Sequence, residues 1–500
     1  MVGTITVASA CLRGIEALPI SVEVASSGGI PGITIVGMTG TSTMEVAARV
    51  RCAIKAAGYK LPRMHYTVNL APAEMRKSGT AFDLPIAVGI LALSGQIPLA
   101  GLDGCLLVGE LGLAGEVSLT RGAVAYQHLA HRLGASLACA RDALHAGAST
   151  HAILAIGSLA DLREGVSTLD GEVPHGLAGG EQDDGTEGLD FANVFGQESA
   201  KRALTIAAAG GHGILMVGPP GSGKTMLARR LPTILPSLTE PELEEVCLVT
   251  SVAGQPLDDA MRGVRPFRAP HHSVSAGGLV GGGRPVLPGE VSLAHKGVLF
   301  LDELPEFATN VLQTLRQPME DKEVRIVRVD GVYRFPCDFQ LVAASNPCPC
   351  GYLGDPAHDC RCTPAQVQRY QGRIGGPLMD RIDMRVDVMR PASQTVIGAE
   401  AGMDSHTMCQ QVMGAREFAS HRPHETDASD ALPHSLLFDT RAATCLEGIS
   451  SRLALGARSI VKMARVARTI ADVEQSEHVR REHVLEASGY RNRAEGGQDA

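Results

Sequence analysis

Period two is the first regular signal in the chain. Apolar and polar residues alternate through Pro19–Val24 and again through Ile33–Val36, the pattern of half-buried strands. The period then lengthens. Ser42 with Glu45 makes a capping box, and Met44, Ala47, Val50, Ile54 and Ala57 recur at helical spacing as far as Gly58. Tyr66–Leu70 predicts another strand and Leu84–Leu93 an apolar helix. Residues 1–170 therefore read as one α+β domain. Residues 171–189, rich in glycine and acid with no apolar period, read as a linker.

A second alternation begins at residue 190. A helix is predicted over Glu198–Ala209, with Ala200, Ala203, Leu204 and Ala207 on one face and Gly210-Gly211 breaking it. Three short, largely apolar runs follow: Ile214–Val217, Val298–Leu301 and Phe339–Ala344. Continuous apolarity marks strands covered on both faces, so residues 190–390 are predicted to be an α/β core around a parallel sheet. Two stretches interrupt it. Residues 262–296 are too rich in glycine for regular structure, and Glu323–Phe335 alternates around Asp330-Gly331 as a hairpin does. Residues 391–430 mix Ser, His, Pro and acid and are expected to include a loop. Leu453–Val473 then sets Ile460, Met463, Ala464, Ala467 and Ile470 on one helical face, so residues 391–500 are predicted to form a helical lid.

Composition narrows the classes. With 500 residues, 44% of them hydrophobic, the chain can build several cores, yet no apolar run approaches the roughly 20 residues of a membrane span. With no secretory pattern at the N-terminus, the expectation is a cytoplasmic protein with no membrane partner. A net charge of −9 excludes a nucleic-acid binder that uses its whole surface, and leaves room for a basic stripe. Tryptophan is absent and aromatics are few, so base stacking is not the main mode of any DNA contact. Eight of the twelve cysteines are scattered singly and read as reduced core thiols.

The chemistry centres on Gly218, Pro219, Pro220, Gly221, Ser222, Gly223, Lys224 and Thr225, which satisfy G-x-x-x-x-G-K-[ST] between a predicted strand and a helix opening at Met226. In that context backbone N–H groups converge on one concavity and the helix N-terminus adds positive potential, which suits the phosphates of ATP. Lys224 is expected to reach the β- and γ-phosphates and Thr225 to ligate Mg²⁺. The run Val298–Leu301 ends in two acids, Asp302 to hold Mg²⁺ and Glu303 to orient and deprotonate water. Asn346, after the third run, is expected to hold the attacking water or the γ-phosphate. Arg381 suits charge stabilisation in trans from a neighbouring subunit, with a local bridge to Asp380 or Asp383 as the other reading. Arg458 is the candidate for an arginine offered by the lid.

Two further groups carry chemistry. Cys348, Cys350, Cys360 and Cys362 fall within fifteen residues and read as a tetrahedral Zn²⁺ site, with His358 as a substitute ligand and an iron–sulfur cluster as the alternative. The hairpin carries Arg325, Arg328 and Arg334, which either touch DNA phosphates in the pore of a ring or are ordinary solvated strand arginines. The adjacent His271 and His272 read as structural or subunit contacts rather than metal ligands.

Two resemblances follow from quoted strings. Asn69–Pro85 is similar to the proteolytic domain of Lon proteases around its Ser/Lys site. Aligned on Lys77 and Gly79, the nucleophile position falls on Ala81, which has no hydroxyl; Ser78 is three residues off. A catalytically inactive assembly domain is therefore expected. Gly29–Gly37, Pro266–Ser273, Phe300–Glu306, Asn346–Gly351 and Arg465–Asp472 resemble the ComM/YifB family, Mg-chelatase-like AAA+ proteins with an N-terminal Lon-like domain. That resemblance implies an AAA+ P-loop core in which the 191–197 segment lies beside the adenine. It also implies a homohexameric ring that hydrolyses ATP to move along single-stranded, double-stranded or branched DNA and extend strand exchange, in natural transformation or repair. Two other readings stand beside it: a chelatase-like remodeller of a protein or driver of metal insertion, and a nucleotide-gated scaffold without turnover.

Overall fold

The computed structural model describes residues 3–38, 42–75, 77, 79–145, 152–173, 188–329, 331–391, 394, 397–398, 402–422 and 436–491. Two sheets organise them. The first has eight strands in the spatial order Gly171–Glu172, Ile153–Ile156, Ser136–Ala140, Cys105–Leu107, Thr4–Arg13, Glu16–Ser27, His65–Ala71, Gly32–Val36. Its centre is antiparallel and its flanks are parallel apart from the antiparallel edge strand Gly171–Glu172, an α+β arrangement. The strand Thr4–Arg13 has no counterpart in the sequence expectations, because its polar residues hide a face on which Val7 and Cys11 are buried. Helices Ser42–Ala56 and Asp83–Leu93 pack near the antiparallel half. Ala47, Val50, Ile54 and Ala57 are buried as expected, whereas Met44, in the first turn, is 73% exposed. Most of the stretch read as a linker lies outside the described residues.

The second sheet is fully parallel. Its order is Phe267–Arg268, Val298–Leu301, Gln340–Ser345, Ile214–Val217, Met384–Asp387. The three central strands are buried along their whole length, so each Val, Ile or Leu contributes about 1.5–3 kcal/mol of apolar burial. Parallel register fixes the site. Val217 stands opposite both Ser345 and Asp387, and Leu301 opposite Ala343. The segments that follow these strands therefore leave the sheet along one carboxyl edge, where open α/β sheets bind ligands.

The glycine-rich stretch 262–296 holds more order than expected. It supplies the edge strand Phe267–Arg268, the short helices Ala276–Val280 and Glu290–Leu293, and a two-residue ladder between Gly281–Gly282 and Leu287–Pro288. The lid comprises helices Ser405–Ser420, Thr440–Arg452, Ala457–Val473 and Arg481–Gly489. Ser405–Ser420 occupies part of the stretch expected to loop; Asp404 caps it by accepting from Thr407 N at 2.8 Å. The long lid helix begins at Ala457 rather than Leu453, because Ala454 adopts φ 48° and ends the preceding segment. Met463, Ala464, Ala467 and Ile470 share one core with Ala203, Leu204 and Ala207 of the helix Glu198–Gly210.

Among the described residues, the first sheet's domain touches the core at helix Ala123–Leu133 and at Gly14. Helix Ala123–Leu133 meets helix Glu240–Ala253, where Gly122 N donates to Ser251 O at 2.9 Å and His128 pairs with Glu244 at 2.9 Å. Gly14, in the turn after Thr4–Arg13, packs on the backbone of Arg334, where a Cβ would come within 2.8 Å of the carbonyl oxygen. Among the described residues no helix is long and apolar enough to cross a membrane.

Candidate functional site

Strand Ile214–Val217 ends in the phosphate loop, and helix Lys224–Arg230 begins where it closes. Gly218 has to be glycine: a Cβ there would overlap Val388 O. Gly223 turns the chain into the helix at φ 93°, a conformation that side chains resist. Lys224 is buried, and its Nζ donates to Gly218 O at 2.7 Å, Pro219 O at 3.0 Å and Asn346 Oδ1 at 3.2 Å. Burial lowers the pKa of its ammonium, against the opposing pull of Asp302 and Glu303. Ser222 Oγ is buried without a hydrogen-bond partner. A concavity with a desolvated cation, an orphaned hydroxyl and glycine walls fits a polyphosphate.

Thr225 Oγ1 donates to Asp302 Oδ2 at 2.6 Å, bringing together the two side chains expected to hold Mg²⁺. The donor set is oxygen only, as that ion requires. Asp302 Oδ1 accepts from Glu303 N at 2.9 Å, and Glu303 sits in the left-handed region at φ 51°. This sparsely populated conformation ends the strand direction and opens the short helix Leu304–Glu306. The Glu303 Oε2 lies 3.7 Å from His272 Nδ1, and the His272 ring lies 4.0 Å from that of His271, tilted by 35°. His272 thus faces the acid, a contact that the sequence did not signal, while His271 Nδ1 meets Ser273 Oγ at 2.8 Å.

The remaining candidates divide. Asn346 reaches Lys224, as given above, and Met226 is 38% exposed. Pro220 and Gly221 complete the loop, Gly221 at φ 77°. Gln197, in the segment expected beside the adenine, donates to Ser222 O at 3.1 Å and to Met389 O. Arg381 forms an ion pair with Glu320, and Asp383 meets Lys462 of the lid at 3.1 Å and His212 at 3.6 Å. Burial alone would raise the pKa of its carboxyl; His212 and Lys462 outweigh that and hold it well below the usual range. Arg458, in the first turn of Ala457–Val473, is exposed, and Lys462 of this helix donates to Ile382 O at 3.2 Å. Neither Arg381 nor Arg458 is among the groups that Lys224, Thr225 and Asp302 bond to.

The hairpin Glu323–Arg328 and Gly331–Pro336 pairs Arg325 directly with Arg334 and Val327 with Val332, and all four are exposed. Val324 and Phe335 pair on the opposite face and are buried. Arg328 is exposed beside the turn, and Arg325 also meets Glu323 at 3.2 Å. Asp330 lies outside the described residues.

Cys348, Cys350, Cys360 and Cys362 bring their sulfurs within 4.8 Å of one another, with Cys348 fully buried. The separations from Cys348 to Cys350 and from both to Cys360 are 3.4–3.6 Å. Sulfurs about 2.3 Å from a common tetrahedral centre stand at nearly this spacing, so the donor set fits zinc. Backbone hydrogen bonds from Tyr352 and Arg361 bring the Cys350 thiol down to about 6, favouring the thiolate that binds metal. His358 is outside the set: its ring stacks on Tyr352 at 4.9 Å. None of the eight scattered cysteines forms a disulfide, and Cys11, Cys105, Cys139, Cys247 and Cys337 are buried while Cys52 is exposed.

In the first domain, Ala81 is buried at the position of the missing nucleophile, and Ser78 lies outside the described residues. Lys77 is buried, donating to Leu70 O at 2.8 Å and to Pro72 O.

Three family descriptions match the chain in consecutive blocks: "Subunit ChlI of Mg-chelatase" over residues 22–140, "Magnesium chelatase, subunit ChlI" over 190–396 and "Magnesium chelatase, subunit ChlI C-terminal" over 402–491. Uncharacterized protein YifB of Escherichia coli is 41% identical over 494 residues, 96% of this chain and 95% of its own length. Competence protein ComM of Haemophilus influenzae is 39% identical over 488 residues, again 96% of this chain and 95% of its own. The magnesium-chelatase 38 kDa subunit of Cereibacter sphaeroides is 25% identical over 321 residues, covering 59% of this chain and 88% of its own.

Proposed function

The chain belongs to the ComM/YifB family of Mg-chelatase-like AAA+ proteins, and on that premise we propose that it is an ATP-driven motor acting on DNA. The observation that carries the reading is the joining of three strand ends by Lys224–Asn346 at 3.2 Å and Thr225–Asp302 at 2.6 Å. Lys224 neutralises phosphate charge from inside the loop. Thr225 and Asp302 would hold Mg²⁺, which supplies further charge neutralisation on the phosphates. Glu303, turned out of the strand by its backbone, orients and deprotonates the attacking water, and Asn346 fixes its position. Arg381 acts in trans in a homohexamer, and Arg458 serves the nucleotide from the lid. The presence of Glu303 and Arg381 in the sequence argues against the scaffold reading.

DNA is the proposed substrate for two reasons. The hairpin presents Arg325 and Arg334 side by side on an exposed face, with Arg328 at its end, which suits a phosphate backbone rather than base edges. A relative alike over nearly its full length carries the name competence protein, which points to recombination intermediates in transformation or repair. The Cys348–Cys362 cluster is proposed to hold Zn²⁺. The test is the ATPase rate without DNA and with single-stranded, double-stranded and four-way-junction DNA. Stimulation by DNA, abolished in Lys224→Ala, is expected. Stimulation by a protein or a porphyrin and by no DNA would support the chelatase-like remodeller instead.

A further inference from the structure

The phosphate loop is gripped from outside as well as from within. Pro220, at its crest, lacks an N–H, and its carbonyl accepts from Arg390 Nη2 at 3.0 Å and Nε at 3.3 Å. Arg390 follows the strand Met384–Asp387 and so leaves the sheet at the same carboxyl edge. The far side of its guanidinium belongs to the thiol cluster's loop: it lies over the Tyr352 ring at 5.7 Å, 3.3 Å from His358 Nδ1 and 3.8 Å from Asp355 Oδ2. The side chain of Asp355 is only 2% exposed. The same loop also touches the phosphate loop directly. Gly351, at φ 86°, comes so close that a Cβ would lie 2.5 Å from Pro220 Cδ.

The loop from Cys350 to Cys360 contains turns but neither helix nor strand. A segment of this kind has little backbone order of its own, and metal ligation is what would fix it. We infer that the thiol centre is a metal-dependent clamp on the phosphate loop. Metal held by the four cysteines shapes the 351–358 turn, the turn orients Arg390, and Arg390 holds the Pro220 carbonyl and with it the nucleotide-binding concavity. Arg390 is a positioning residue: it acts through Pro220 and touches no phosphate in this scheme. The inference rests on the zinc reading proposed above and adds that occupancy of the centre sets nucleotide affinity.

The test combines zinc content with the affinity of a fluorescent ATP analogue, read in excess Mg²⁺. Arg390→Ala is expected to keep its zinc and to bind the analogue about tenfold more weakly. Cys360→Ser is expected to lose zinc and to weaken binding by a similar factor, and the double variant to be no worse than either single one, since both break one chain of contacts. Arg390→Lys, which keeps a donor for Pro220 but loses the planar stack on Tyr352, should fall between Arg390→Ala and the parent. Chelation of the unsubstituted protein should lower affinity, and Zn²⁺ alone should restore it, a comparison free of folding defects. A zinc-depleted protein that binds the analogue as tightly as before would overturn the clamp, as would a double variant whose defect is the product of the two. A parent protein that takes up no zinc would instead overturn the metal reading beneath it.

Discussion

Lys224 shows how a residue type acquires chemistry from its surroundings. Its amine is buried among two carbonyls and an amide oxygen, with no carboxylate in direct contact, so its proton is held less tightly than usual. A lysine depressed in this way loses its charge, as pH rises, before the ordinary value of 10.5. Affinity for an ATP analogue should therefore decline on the alkaline side below that value, measured by titration between about pH 7 and 10; a flat profile over that range would contradict the assignment. Glu303→Gln should leave analogue binding intact and lower kcat by about 100-fold or more, the scale of a lost general base. At this scale much of the nucleotide site was legible in the sequence, because a phosphate loop and two acids after an apolar run are local patterns. Arg390, His272 and Lys462 were not, since each gains its role from a residue distant in the chain: Pro220, Glu303 and Asp383.

At the scale of elements, parallel pairing turns scattered signals into one edge. Three of the five core strands were readable as short apolar runs, but Phe267–Arg268 is two residues long and hidden in a glycine-rich stretch. Met384–Asp387 alternates charge with apolar residues and so lacks the mark of a covered strand. The hairpin was legible from its alternation and turn, whereas its seat on Gly14 of the first domain was not. Arg325→Ala and Arg334→Ala should each weaken DNA binding across sequences and reduce the salt slope by about one, measured by anisotropy at several ionic strengths. A variant with unchanged slope would remove that arginine from the interface. In the first domain, Asp83 is fully buried and pairs with Arg49 at 2.7 Å. Arg49→Met should cost about 3–5 kcal/mol at neutral pH, because the carboxylate is left without its partner. Burial raises the pKa of Asp83, so protonation relieves the strain: the loss should shrink as pH falls through that raised pKa, and melting curves at pH 5 and 8 check it.

Across the whole molecule, the domain that resembles Lon proteases meets the core through helix Ala123–Leu133 and through Gly14, and the lid shares its core with helix Glu198–Gly210. Asp383 and Lys462 join the lid to the amino edge of the core sheet, where Met384 pairs with Ile214, and the hairpin, which precedes the strand Gln340–Ser345, joins the core to the first domain. The most direct measurement is resolution of a fluorescently labelled four-way DNA junction by the purified protein. ATP-dependent conversion of the junction into its duplex products, lost in Glu303→Gln while that variant still binds the junction, is the predicted result. A junction that is neither bound in low salt nor converted, by protein that hydrolyses ATP normally, would contradict the account.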